Sequence, residues 1–163
     1  MRRRQFLGLI SGAAAWSRSA RAQQANISRL GSLKLTEPNG KPVHINVAQI
    51  TYIRSDTQVS GANAELGLAS GKIQGVQENV DEVMRLVTVG QRGEMSWIKL
   101  TEPSGLLIYV NVSQVTTVRF DSQIPGTNAE LGFASGKVHG VQESVDDVMQ
   151  LIAAIARQPG KPP

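Results

Sequence analysis

Cysteine is absent from the 163 residues. No disulfide can staple the fold, no thiolate can act as nucleophile or metal ligand, and no lipid can be attached at a processed N-terminal cysteine. Aromatic residues make up 4% of the chain, leaving few large side chains to fill a core. Histidine occurs only twice, as His44 and His139. No apolar run approaches the roughly 20 residues that a membrane-spanning helix needs. Catalytic, metal-binding and nucleotide-binding motifs are also missing, so neither cofactor nor metal is expected, and the chain does not read as an enzyme.

Charge of one sign is confined to one end. The formal net charge is +4, which on its own suggests a nucleic-acid binder. Five of the 17 Lys and Arg precede residue 23, however, and none of the 13 acids does, which leaves 12 basic against 13 acidic residues beyond it. A near-neutral body lacks the clustered cations that phosphate recognition requires, so no nucleic-acid partner is expected.

Those first residues have the layout of an export leader. Arg2-Arg3-Arg4 is a basic start, Leu7 to Trp16 is a short stretch rich in Gly and Ala, and Ala20-Arg21-Ala22 obeys the small-x-small rule. Cleavage is expected between Ala22 and Gln23. Arg3, Arg4, Phe6 and Leu7 resemble the twin-arginine motif, with Arg2 and Gly8 as departures from its commonest form. The weak apolar stretch, with Arg18 and Arg21 beside the cleavage point, favours that route. The mature chain is then periplasmic or secreted, with neither a membrane span nor a lipid anchor.

The remainder repeats itself. Shifted so that Leu33 lies on Ile98, the chain aligns without a gap, with about 32 identities in 55 positions to Val87 and Ile152. Asn63-Ala64-Glu65-Leu66-Gly67 returns as Asn128-Ala129-Glu130-Leu131-Gly132, and Ala69-Ser70-Gly71-Lys72 as Ala134-Ser135-Gly136-Lys137. Two copies fall short of a solenoid and indicate a tandem duplication. The expected organisation is a signal peptide at 1–22, a linker at 23–31, one unit at 32–88, a second linker at 89–96, a second unit at 97–157, and a disordered tail at 158–163.

Within each copy, alternation marks strands. Leu33 and Leu35 alternate with Lys34 and Thr36, and Val43, Ile45 and Val47 with His44 and Asn46. Further strands are expected near 51–55, around Leu66 and Leu68, and from Ile73. Gly40/Gly105 and Ser70-Gly71/Ser135-Gly136 sit where tight turns need glycine. Asn79 and Ser144 precede acids as helix N-caps do. Val80, Val83, Met84 and Val87, repeated as Val145, Val148, Met149 and Ile152, form an apolar stripe at helical spacing. The fold class is α+β: two units, each an antiparallel β-meander of four or five strands closed by a C-terminal helix, packed with pseudo-two-fold symmetry.

Each unit resembles the small flagellar-motility proteins of the FlbD/SwrD type. The matching residues are Ile98-Lys99-Leu100-Thr101, Gly105, Asn111 with Val115, Gly136-Lys137 and Val141 through Val148. The first copy matches at Lys34, Thr36, Gly40, Asn46 with Ile50, Gly71-Lys72 and Val76 through Val83. The resemblance implies a non-enzymatic protein that acts by contact, on the flagellar motor in that family. Members are cytoplasmic single units, whereas this chain has a leader and two copies, so the fold is what carries over.

The remaining candidates are bland or lie at surfaces. His44 and His139 face Tyr109 and Gln74 in the other copy, so they read as strand-face histidines and not as a duplicated metal site. Glu65/Glu130 and Asp56/Asp121 read as loop acids or partners of Arg54/Arg119. Asn46/Asn111 reads as a turn cap, and Gly75/Gly140 as a bulge or a close backbone approach. Leu106-Leu107 replaces Lys41-Pro42 of the first copy, Phe120 replaces Ser55, and Trp97 replaces Ser32. Trp97, Leu106, Leu107 and Phe120 are therefore the candidate contact surface, between units or between chains. The expected function is an exported binding or interaction module whose partner is another protein or the chain itself. A self-associating envelope protein and an enzyme with a site between the units are the alternatives.

Overall fold

The computed structural model describes residues 31–55, 57–90, 97–120 and 124–157. The leader, with Arg3, Arg4, Phe6, Leu7, Ala22 and Gln23, lies outside them, as do Asp56, Asp121, most of the second linker and the tail. The described chain is α+β, with ten strands in three antiparallel sheets and two helices.

The first copy supplies β1 (Ser32–Thr36), β2 (Pro42–Asn46), β3 (Ile50–Arg54), β4 (Ala64–Leu68), β5 (Ile73–Val76) and α1 (Val80–Gly90). The second supplies β6 (Trp97–Thr101), β7 (Leu107–Asn111), β8 (Val115–Arg119), β9 (Ala129–Phe133), β10 (Val138–Val141) and α2 (Val145–Ala156). The β1–β2 turn closes on Gly40, which at φ 80° occupies the left-handed region that a side chain disfavours. Its amide donates to the Glu37 carbonyl at 2.8 Å.

An uninterrupted meander does not form. The Asn46 side chain accepts from the Ala48 amide at 3.0 Å and opens a 3-10 turn over Val47–Gln49. That turn carries the chain away from β2, so β2 and β3 are not paired. Asn111 opens the equivalent turn by accepting from the Ser113 amide at 3.1 Å. Each copy therefore contributes a two-stranded hairpin and a separate three-stranded meander.

The hairpin of the second copy adds to the meander of the first. β7 pairs with β3 in the register Tyr52↔Val110, Ile53↔Tyr109 and Arg54↔Ile108, giving a five-stranded sheet in the order β5-β4-β3-β7-β6. Neighbouring strand residues point to opposite faces, and both faces of this junction are covered. Ile53 joins the core of Leu35, Ile45, Leu66, Val83 and Val87, against which Trp97 and Tyr109 also pack. Tyr52 crosses into the other core, with Ile98, Leu100, Ile108, Leu131 and Val148. Pseudo-two-fold packing would pair β8 with β2 as well. Among the described residues it does not: β8 has only β9 beside it, and β2 only β1.

The helices start where their caps stand. Asn79 accepts from the Glu82 amide at 2.9 Å, and Ser144 forms a reciprocal capping box with Asp147. Val80, Val83, Met84 and Val87 pack against the first core. On α2 the stripe runs through Val145, Val148, Ile152 and Ile155, while Met149 is exposed. Helix α1 extends through Gly90, two residues into the segment expected as linker. No helix among the described residues is long and apolar enough to cross a membrane.

Candidate functional site

Where β3, β7 and the β9–β10 hairpin meet, ionisable side chains gather inside the protein. Arg54, at the end of β3, directs Nε and Nη2 to Glu65 Oε1 on β4, each at 2.8 Å. Its Nη1 reaches Glu102 Oε1, just past β6, at 3.3 Å. The Arg54 side chain is 11% exposed and Glu65 is fully buried. Glu65 also accepts from the Gln58 amide at 3.1 Å and from the Tyr52 hydroxyl at 3.5 Å. A cation between two carboxylates thus joins the copies across the β3–β7 seam.

Three aromatic rings cover this cluster. The imidazole of His139, on β10, meets the Tyr52 ring edge-on at 4.2 Å between centroids, and Phe133 lies 6.0 Å from Tyr52. The space beneath Tyr52 exists because β4 carries Gly67, where any Cβ would overlap the tyrosine ring. Gly75 and Gly140 are close backbone approaches of the same kind: Cβ atoms there would strike Val59 and Thr127.

Burial and neighbouring charges shift three of these groups. Burial lowers the His139 pKa to about 4, reinforced by Arg54 and Lys137, so the imidazole is neutral at pH 7. Its Nδ1 lies 3.8 Å from Glu102, a contact that is not an ion pair in the neutral form. Burial, followed by the charge of Glu65, lifts the Tyr52 phenol to about 12. Burial opposes the charge on Arg54, but Glu65 and Glu102 outweigh it and raise the guanidinium pKa. An acid–base catalyst works best with a pKa near the operating pH. In this setting His139 and Tyr52 are both shifted away from neutrality, His139 downward and Tyr52 upward.

The sequence anticipates part of this. Arg54 does pair with Glu65, and Arg119 with Glu130, its Nε at 2.6 Å. The two pairs differ in setting, because the Arg119 side chain is 66% exposed. The aromatic lid was not foreseen. Its signal lay where the copies differ: Tyr52, Phe133 and His139 stand where the other copy has Thr117, Leu68 and Gln74. His44 is an exposed strand residue, whereas His139 is largely buried.

The candidate contact residues separate. Trp97 is half-buried against the first core, and its indole nitrogen has no acceptor among the described residues. Leu106, Leu107 and Phe120 are exposed, Phe120 at 71%. Trp97 thus faces inward, while the other three are open to solvent. Among the described residues, no group of three or more His, Asp or Glu is arranged to hold a metal ion. Set against family models, curated proteins and solved structures, the chain finds no match in any of the three comparisons.

Proposed function

We propose that this chain is an exported, non-enzymatic contact protein made of two copies of one β-rich unit, acting in the periplasm or outside the cell. The observation that carries the reading is the division of labour among its side chains. The buried charged groups at the seam are engaged in holding the copies together. Large apolar side chains, Leu106, Leu107, Phe120 and Ile124 among them, stand in solvent. Adjacent exposed apolar side chains, such as Leu106 and Leu107, form apolar surface that a partner can cover. The motif-like leader supports export, and the resemblance to contact-acting motility proteins supports the absence of catalysis.

In-cell crosslinking of a tagged chain, followed by mass spectrometry, tests the contact reading. Recovery of envelope proteins or of the chain itself supports it, and recovery of neither sinks it. Export is tested separately: the mature N-terminus should be Gln23, and Arg3→Lys/Arg4→Lys should leave the precursor uncleaved in the cytoplasm.

A further inference from the structure

We infer that β8 is a pairing edge for β2 of a second copy of this chain, in the register already used by β3 and β7. The inference rests on the contact reading above and names the partner. Its template lies within the molecule. β8 is the sequence copy of β3, and β2 is the sequence copy of β7. β3 and β7 form a ladder inside the chain, while β8 and β2 each have one edge outside every ladder among the described residues. An edge strand presents a row of backbone donors and acceptors that another chain can satisfy.

Transferring the observed register places Thr117 opposite Ile45, Val118 opposite His44 and Arg119 opposite Val43. The side chains match what this requires. Arg119 holds Glu130 on its own sheet and turns most of its surface to solvent. Its copy Arg54 spans to Glu102, whose counterpart is Glu37, directly after β1. A second copy seated on β8 brings Glu37 to Arg119 as Glu102 meets Arg54. Continued by one residue, the register sets exposed Phe120, one step beyond β8, over Pro42 of the incoming hairpin. Each chain offers one β8 and one β2, so the association is head-to-tail and builds a ring or a filament.

The absence of native cysteine makes the register testable. The full chain is prepared as two single-cysteine variants, Val118→Cys and His44→Cys, which are mixed and treated with a short bismaleimide. The inference expects a crosslinked pair in the mixture, and expects Phe120→Asp to abolish it together with any mass above one protomer by light scattering. Arg119→Glu should weaken association at least tenfold, and adding Glu37→Arg should restore it. A melting temperature near that of the native chain shows that a non-associating variant is folded. A native chain that stays monomeric at every concentration overturns the inference, as does a mixture that yields no crosslinked pair while a chain carrying both cysteines crosslinks within itself. Monomers that crosslink in cells to other envelope proteins overturn this inference alone. A chain that crosslinks to nothing overturns it and the contact reading together.

Discussion

Replacing Arg54 by Met, and separately replacing Arg119 by Met, puts the same substitution into two copies of the same strand. The structure demands different outcomes. Arg54→Met removes the cation from between Glu65, fully buried, and Glu102, nearly so. Taking one partner from a buried ion pair costs about 3–5 kcal/mol, because the stranded carboxylate has lost its counter-charge as well as its hydrogen bonds. The Gln58 amide and Tyr52 hydroxyl remain beside Glu65, which places the expected loss near the lower end. Arg119→Met also leaves a buried carboxylate, Glu130, without its cation, but that cation is 66% exposed and water replaces it. The expected loss is about 1–2 kcal/mol, between that of an exposed pair and that of a buried one. Urea unfolding at pH 7, followed by circular dichroism, measures both. With a denaturant dependence of roughly 1–3 kcal/mol per molar, Arg54→Met should lower the midpoint by about 1–3 M, and Arg119→Met by about half as much or less. Arg54→Met/Glu65→Leu should recover part of the loss, since an apolar pair is tolerated where a lone charge is not. Equal losses from the two single variants would refute the claim that the seam depends on its buried cation.

Three further outcomes follow from the same cluster. His139 accepts no proton in the fold until about pH 4, whereas the unfolded chain takes one near 6.5, so stability is full above 6.5 and falls as pH drops from there to 4. The drop is on the order of 3 kcal/mol at most, and His139→Gln should flatten that part of the urea-midpoint profile between pH 7 and 4.5. At the alkaline end, Tyr52 stays protonated to about 12 while an unfolded tyrosine ionises near 10, so its contribution is lost between those values; absorbance at 295 nm should show a late-titrating phenol that Tyr52→Phe removes. Gly67→Ala forces a methyl group into the Tyr52 ring and should cost about 1–3 kcal/mol by overpacking. Gly132→Ala meets chiefly the hydroxyl of the exposed Thr117, which can turn aside, and should cost less in a thermal melt.

Local structure was the most legible part of the sequence. Glycine turns, N-caps and apolar periodicity are short-range signals, and Gly40, Gly71, Ser144 and the Val80–Val87 stripe stand where those signals place them. The partnering of strands was not legible. Alternation in residues 42–54 specifies two strands but carries no information on whether they adjoin, and Asn46 decided the matter by starting a turn that separates them. Met149 misled because α2 presents less of its surface to the sheets than its periodicity suggests. Arg54 and Glu65 were visible as a pair. Glu102 joining them depended on β7 crossing to β3, a contact between residues 48 positions apart. The aromatic lid was written in the differences between copies, which an eye drawn to identities passes over.

One repeated detail bears on how the chain comes apart. The Thr36 amide donates to Glu78 at 3.0 Å, and the Gln77 amide donates to the Thr36 carbonyl at 2.8 Å. Thr101, Glu143 and Gln142 repeat the arrangement in the second copy. The first strand of each copy is thereby latched to the segment between its last strand and its helix. Neither end can fray without releasing the other, so each latch spans nearly the whole copy as one cooperative block. Exchange of the Thr36 and Thr101 amides then reports the opening of an entire copy, and the more slowly exchanging of the two identifies the half of the chain that lets go last.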